Sequence, residues 1–393
     1  MSKLGATSTF WFCPQCGTPN LVASYLTQCL GCGQALATVS PGGNRAPVRR
    51  PSPLRARLVR GTLVASWAYA AAMLILWLFL RGLGDRWWLA TILLFGPRWM
   101  ALLPLVVLIP ASALGPRRVL PPLAVGLALA VGPVMGFCLP WRSWLGAGSE
   151  SHMRIRILSC NVHYANLHPD ALFDLIAAER PQIVALQEWG PHHDAPATRL
   201  GAGWHVHRGE STCLISRFPI LEVEALNRDQ LGGKGDAVRY VLQGPAGPLS
   251  FLNLHPISPR EGLQAMVDNP LRAARDVEAN LEVRRRESEA SSRWAASTQG
   301  PVLVAGDLNL PCDSAIYRRY WSEYADGFSI AGLGFGHTWF SRWHGVRIDH
   351  ILGGPGLSFR RCWVGPEVGS DHRPLIADIE WTGARDQVLP RRY

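Results

Sequence analysis

Apolar and polar positions divide the chain into three regimes. Between residues 61 and 141 the apolar ones run almost unbroken. Residues 61–80, GTLVASWAYAAAMLILWLFL, carry no charge over a length that crosses a hydrocarbon layer of about 30 Å. Residues 99–115 and 119–141 are also uncharged, with Arg117 and Arg118 between them. Starting the middle run near Trp88 would draw Arg98 into lipid at a high cost. Trp87, Trp88 and Trp99 are therefore placed as interfacial anchors around a short loop. Three such runs in series argue against buried soluble helices, and the long lead before them argues against a signal peptide. The expectation is three transmembrane helices.

From Met153 the period changes. RIRILSCN alternates Ile155 and Ile157 with Arg, as a strand does, and PDALFDLIAAER spaces Leu172, Leu175 and Ile176 as a helix does. PQIVALQE, LSFLNLH (249–255), PVLVAGDLN (301–309), VRIDHIL (346–352) and RPLIADIE (373–380) read as further strands, and residues 271–296 as a long polar helix. Strands alternating with helices predict an α/β domain over residues 151–382, followed by a tail, 383–393.

Before the apolar runs the pattern is neither. Residues 1–39 hold Cys13-x-x-Cys16 and Cys29-x-x-Cys32, twelve residues apart, each pair followed by glycine. Turn glycines that bring four thiolates together point to a structural Zn2+ in a segment resembling a zinc ribbon. Four sulfurs leave no open position for catalysis, so its expected job is structural or the binding of a cytoplasmic protein partner. Residues 40–60 are rich in Pro, Gly and Arg and read as a linker. The other five cysteines are scattered and do not form a disulfide framework.

Charge sharpens this division. The whole chain carries +10. Residues 1–60 hold seven Lys and Arg with no acid, and residues 61–150 hold six Arg against Asp85 and Glu150, which leaves −1 for the rest. The charge count therefore gives the α/β domain no basic nucleic-acid-binding face. The basic lead places the N-terminus in the cytoplasm, and three spans then place the α/β domain on the other side of the cell membrane. A two-span topology would keep it inside.

In the α/β domain the polar residues gather where strands meet loops. Asn161, Glu188, His255, Asp307 and Asn309 each close an apolar strand, while Asp371 and His372 precede the last one. Strand ends are rigid platforms whose side chains converge on one point. Other histidines (His192, His193, His205, His207) read as loop or strand residues, and His350 is expected to pack beside Asp349.

The segments CNVHY, VALQEW, LISRFPI, FLNLHP, VAGDLN, RIDHIL and GSDHRPL, in that order across residues 153–380, resemble the endonuclease/exonuclease/phosphatase superfamily. The likeness is nearest to its bacterial membrane-tethered members. It implies a four-layer α/β sandwich, with two mixed β-sheets face to face and helices outside. It implies a phosphoester hydrolase that uses Mg2+ or Mn2+ on a phosphodiester, in a lipid headgroup or a nucleic acid, or on a phosphomonoester. By the same resemblance Glu188 is the principal metal ligand, with Asn161 and Asp371 on the metal side. Asp307 would activate water, Asn309 and His255 would contact the phosphoryl group, and His372 would act with Asp349 behind it. His163 departs from the pattern, standing where several family nucleases carry a second acid. The rival class is a scaffold whose outer domain binds a phosphorylated ligand without turnover. The presence of Glu188, His255, Asp307, Asn309, Asp349 and His372 together speaks against it.

Overall fold

A computed structural model describes residues 10–12, 17–21, 53–113, 115–141, 153–163, 168–190, 193, 199–268 and 273–381. The four zinc-site cysteines, most of the 40–60 linker and the 383–393 tail lie outside the described residues. The chain divides into two compact units, one formed by Met1–Ala72 with Leu102–Leu127, the other by Met73–Ala101 with Ala128–Tyr393.

In the first unit β1 (Phe10–Phe12) pairs antiparallel with β2 (Pro19–Leu21). The helix Leu120–Leu129 carries Gly126 against Tyr69 and Ala70. A Cβ at Gly126 would lie 2.5 Å from the Tyr69 ring and 3.4 Å from the Ala70 Cα. Only glycine permits that approach of two helices.

The apolar runs become helices with different ends from those of the hydropathy pattern. Pro53–Leu83 and Arg117–Val134 are each long and apolar enough to cross a membrane. Trp88–Phe95 and Arg98–Ala113 pass the same test together, bent by 85°, and make a third span if the pair is one broken crossing. The bend falls at Gly96 and Pro97, where the helical ladder is interrupted. In the second unit Arg98 is satisfied. Its guanidinium donates to the carbonyls of Leu94 and Val134 and meets Asp313 Oδ2 at 2.6 Å. A paired guanidinium costs far less to bury than the bare charge the hydropathy argument assumed.

The rest of the second unit is built on two six-stranded sheets. One has the order β15 (Leu357–Val364), β16 (Leu375–Trp381), β3 (Met153–Asn161), β4 (Ile183–Gln187), β6 (Thr212–Ser216), β5 (His205–Arg208). The other runs β11 (Ala325–Asp326), β14 (Asp349–Gly353), β10 (Val302–Asp307), β9 (Gly247–His255), β8 (Asp236–Gly244), β7 (Ile220–Ala225). Both are mixed: β3 with β4 and β10 with β9 are parallel, their other pairings antiparallel.

Strand β3 shows why the layers form. Ile155 and Ile157 enter the core between the sheets with Phe251, Leu303 and Ile351. Leu158 and Cys160 point the other way and meet Leu172 and Ile176 of the helix Pro169–Glu179. A strand covered on both faces is buried on both, and this one is from Ile157 onward, with the polar Ser159 and Asn161 toward its C-terminal end. On the outer face of the second sheet, Ala295 of the helix Ala273–Ala296 packs with Leu252, Val302 and Val304. The result is the expected four-layer α/β sandwich: two mixed sheets with helices outside. The charges of Ala273–Ala296 mostly pair along its own surface, as Glu282 with Arg285 and Arg286, and Glu289 with Arg285 and Arg293. Arg284 and Glu287 instead turn inward and are buried.

Candidate active site

Parallel pairing brings strand ends together. In the β3–β4 register Asn161 stands beside Gln187, so Asn161 and Glu188 leave adjacent strands at the same level. In the other sheet Asp307, the last residue of β10, pairs with Asp349, the first of β14, and His255 ends the neighbouring β9. His372 precedes β16 and forms a bridge with Trp339 of the short strand β12 (Trp339–Phe340). The two sheet ends thus deliver their polar residues to one cleft.

Asn161 is the hub. Its Nδ2 donates to Glu188 Oε1 at 2.9 Å and to Asp307 Oδ2 at 3.0 Å, and lies 3.5 Å from His255 Nε2. His255 Nε2 is 3.4 Å from Glu188 Oε1 and 3.9 Å from Asp307 Oδ2. His372 stands on the other side of Asp307, with Nδ1 2.8 Å from Asp349 Oδ2 and Nε2 3.6 Å from Asp307 Oδ2. Asn309 gives its backbone N–H to Asp307 Oδ1 at 2.9 Å, and its Nδ2 donates to the Pro256 carbonyl at 2.9 Å. The seven expected residues from Asn161 to His372 other than Asp371 therefore form one connected cluster.

Electrostatics divides the acids. Burial opposes a charge on His372, but Asp349 and Asp307 outweigh it and raise its pKa to about 9. Burial also works against ionisation of Asp349, yet the imidazole of His372 and the hydroxyl of Thr338 bring its pKa below the usual carboxylate value. Burial, aided by Asp349, pushes Asp307 the other way, upward. An imidazolium held by one firmly ionised acid and facing a more basic one is an arrangement for moving protons. Asp307, Asp349 and His372 also lie close enough together to hold a metal ion. Both ring nitrogens of His372 already face carboxylates, and a protonated ring cannot ligate, so these contacts fit the proton better than a cation.

The fit to a divalent cation is better at Glu188. Its carboxylate is 20% exposed at the cleft, and among the described residues its one ion-pair partner is the His255 ring. An oxygen donor without a guanidinium or ammonium in competition suits a hard cation that keeps much of its water. Asp371 is more committed. Its Oδ1 is 2.7 Å from His163 Nδ1, and its Oδ2 accepts from Trp339 Nε1 at 3.0 Å and from Arg260 at 3.2 Å. His163, the departure from the family pattern, thus supplies a ring to Asp371 in place of a second acid. His350 does not lean on Asp349: it is held by Asp326 Oδ2 and the Leu310 carbonyl, each at 2.8 Å.

Several contributors escaped the sequence reading. Ser370 Oγ donates to the Asn161 carbonyl at 2.8 Å and accepts from the His372 N–H at 3.0 Å, tying two strand ends together. Thr338 Oγ1 accepts from the Asp349 N–H. Glu287 accepts from the Gly235 and Ile257 N–H groups and so braces the loop after His255. Ser370 could have been noticed inside GSDH. The others lie far from any motif and have no local signal.

The profile of the Endonuclease/Exonuclease/phosphatase family matches residues 158–372. The chain belongs to this family. Similar solved structures include the endonuclease/exonuclease/phosphatase from Beutenbergia cavernae DSM 12333 (19% identity, covering 59% of this chain and 72% of that one, TM-score 0.43). The endonuclease/exonuclease/phosphatase from Bacteroides vulgatus is similar at 19% identity (58% and 99% covered, TM-score 0.46). The 3'-5' exonuclease from Neisseria meningitidis is similar at 20% (58% and 100% covered, TM-score 0.45). No curated protein matches the sequence. Members of the family are hydrolases acting on phosphoester bonds, and the α/β domain carries their two-sheet fold.

Proposed function

We propose that this member is a membrane-anchored phosphoesterase that hydrolyses a phosphodiester with a divalent cation, Mg2+ or Mn2+. One observation carries the reading: His372 stands between Asp349 and Asp307 while Asn161 joins Asp307 to Glu188 and His255. When bound, the cation neutralises developing charge on the phosphoryl and leaving oxygens. Glu188 would hold it, with Asn161 as its neighbour and Asp371 contributing only on release of its present donors.

The chain's own groups divide the remaining work. Asp307, made more basic by burial, accepts a proton from the attacking water. The imidazolium of His372 offers its Nε2–H to a phosphoryl or leaving oxygen, and Asp349 keeps the ring oriented and charged. One hydrogen of the Asn309 amide is held by Pro256, which leaves the second for a phosphoryl oxygen. His255 contacts the same group from the opposite side of Asn161.

The wall of the cleft supports a substrate presented at a lipid surface rather than a nucleic acid. Trp339, whose indole bonds Asp371, packs on the cluster of Leu80, Leu94, Phe95, Val346 and Ile348, and the first three belong to the apolar segments. The zinc ribbon, its cytoplasmic partner and an odd number of crossings belong to the same proposal.

The test uses the full chain in neutral detergent with bis-p-nitrophenyl phosphate, plasmid DNA, and sphingomyelin or phosphatidylinositol vesicles. Expected is Mg2+-dependent turnover, best on a lipid, abolished by EDTA and by His372→Ala. Turnover indifferent to EDTA would remove the cation from the scheme. A folded, Mg2+-binding protein inactive on every substrate would favour the scaffold.

A further inference from the structure

A second cavity, of about 710 Å³, opens beside β15 and is lined by no residue of the catalytic cluster. That volume lies within the usual range for small-molecule sites. Three arginines line it, Arg360, Arg361 and Arg373. Arg360 meets Glu380 at 2.7 Å. Arg361 and Arg373 have no carboxylate partner among the described residues. Each lies over an aromatic ring instead, Arg361 5.1 Å from the centroid of Trp363 and Arg373 4.5 Å from that of Phe340. Stacking fixes a guanidinium while leaving its in-plane N–H donors free, the geometry that grips phosphate oxygens. Two arginines without a carboxylate partner lining one cavity call for an anion.

The lining also includes the apolar Pro140, Ala331 and Leu333. Pro140 lies just past the Arg117–Val134 segment, and the backbone of Cys138 bonds that of Gly334 in both directions, at 2.8 and 3.0 Å. The chain leaving an apolar segment is therefore sewn to the rim of the cavity. Around this seam Phe137, Leu139, Trp141 and Leu333 are exposed, Leu333 by 63%. A collar of exposed apolar side chains around a cationic pocket, at the end of a segment fit to cross a membrane, is the setting of a lipid headgroup rather than of a free ion.

We propose that the Arg361–Arg373 pocket binds the phosphate of an anionic phospholipid, whose acyl chains lie along the Phe137–Trp141 seam. This goes beyond the phosphoesterase reading and does not depend on it. It depends on the Arg117–Val134 segment lying in a bilayer. Such a lipid would fix the Cys138–Gly334 seam without taking part in hydrolysis.

The full chain in neutral detergent is titrated calorimetrically with dihexanoyl phosphatidylglycerol, dihexanoyl phosphatidylcholine and inorganic phosphate. Expected is saturable binding of phosphatidylglycerol, at least tenfold tighter than of phosphatidylcholine or phosphate. Loss of one charge-assisted contact should weaken it roughly tenfold or more in Arg361→Gln and further in Arg361→Gln/Arg373→Gln. Arg361 is exposed, so the single variant keeps the fold, checked by an unchanged melting curve. Equal binding of the two lipids would mean apolar adsorption and overturn the proposal. Phosphate binding as tight as phosphatidylglycerol would reduce the pocket to an ion site and overturn the lipid assignment. Unchanged affinity in the variants would overturn the location.

Discussion

Replacing Asp85 tests whether the turn after the first apolar helix is part of the catalytic scaffold. Asp85 and Arg284 are among the most deeply buried ionic side chains of the second unit, 0% and 1% exposed, and meet at 2.9 Å. Arg284 also donates from Nη2 to the Asn309 carbonyl at 2.6 Å and lies 5.2 Å from the centroid of the Phe95 ring. One guanidinium thus joins the interhelical turn, the long helix Ala273–Ala296 and the loop that carries Asn309. Asp85→Ala leaves that charge buried and unopposed, a loss of about 3–5 kcal/mol. At about 2–4 °C per kcal/mol for a domain of this size, the melting temperature should fall by roughly 6–20 °C. Asp85→Asn, which keeps an acceptor, should lie toward the low end. The double variant Asp85→Leu/Arg284→Met buries no charge and should recover part of the loss. It should not recover all of it, because the Asn309 carbonyl then lacks its donor, at about 1–3 kcal/mol. Thermal unfolding of the full chain in neutral detergent, followed by near-ultraviolet circular dichroism, measures all three. A fall of less than roughly 2 °C in Asp85→Ala would refute the reasoning, since a fully buried ion pair cannot be that cheap to break.

Two further predictions concern charge and metal. The folded pKa of His372, about 9, stands above the ordinary 6.5, so its stabilising contribution is complete below about pH 6.5 and lost as pH rises through 9. The stability advantage of the parent over His372→Gln, measured by chemical denaturation, should shrink over that interval, and a constant difference would contradict the imidazolium. At the N-terminus, the four-cysteine segment should carry one zinc per chain by elemental analysis, and Cys13→Ser/Cys29→Ser should remove it. A metal-free segment with all four thiols titratable would refute the zinc ribbon.

Much of the fold was legible because both its periodicities are strong. The strand ending at Asn161 and the helix Pro169–Glu179 stand where alternation and helical spacing put them. The residues of the cleft were legible for a related reason, since polar groups closing apolar strands have few other roles. What remained hidden depends on contacts between distant segments. Arg98 looked unfit for a span because its partner, Asp313, is 215 residues away. Trp339 gives no local hint that it will bond Asp371. Arg284 stands in a run of charges that otherwise pair along the helix, and nothing in that run distinguishes the one that turns inward. Sequence pattern reports the face on which a residue lies. It does not report which distant group will neutralise it.

The backbone at the cleft argues that the cluster is more than a by-product of the fold. Glu188 and Asn309 both adopt left-handed conformations, φ 55° and 54°, and so does His163, at 47°. Asparagine tolerates this region, whereas glutamate enters it rarely and at a cost of order 1–3 kcal/mol. A glycine would relieve that cost, and as a turn the position could be filled by one. The glutamate is instead held there by strand pairing up to Gln187, by the Trp189 N–H bond to the Ser211 carbonyl and by Asn161 on its own carboxylate. The left-handed turn breaks the alternation of β4 immediately after Gln187 and brings the next side chain to Asn161. Three such turns in one cleft, two of them on residues that a phosphoryl-transfer site would use, are strain kept where geometry has to be exact and absorbed by the rigid sheets behind it.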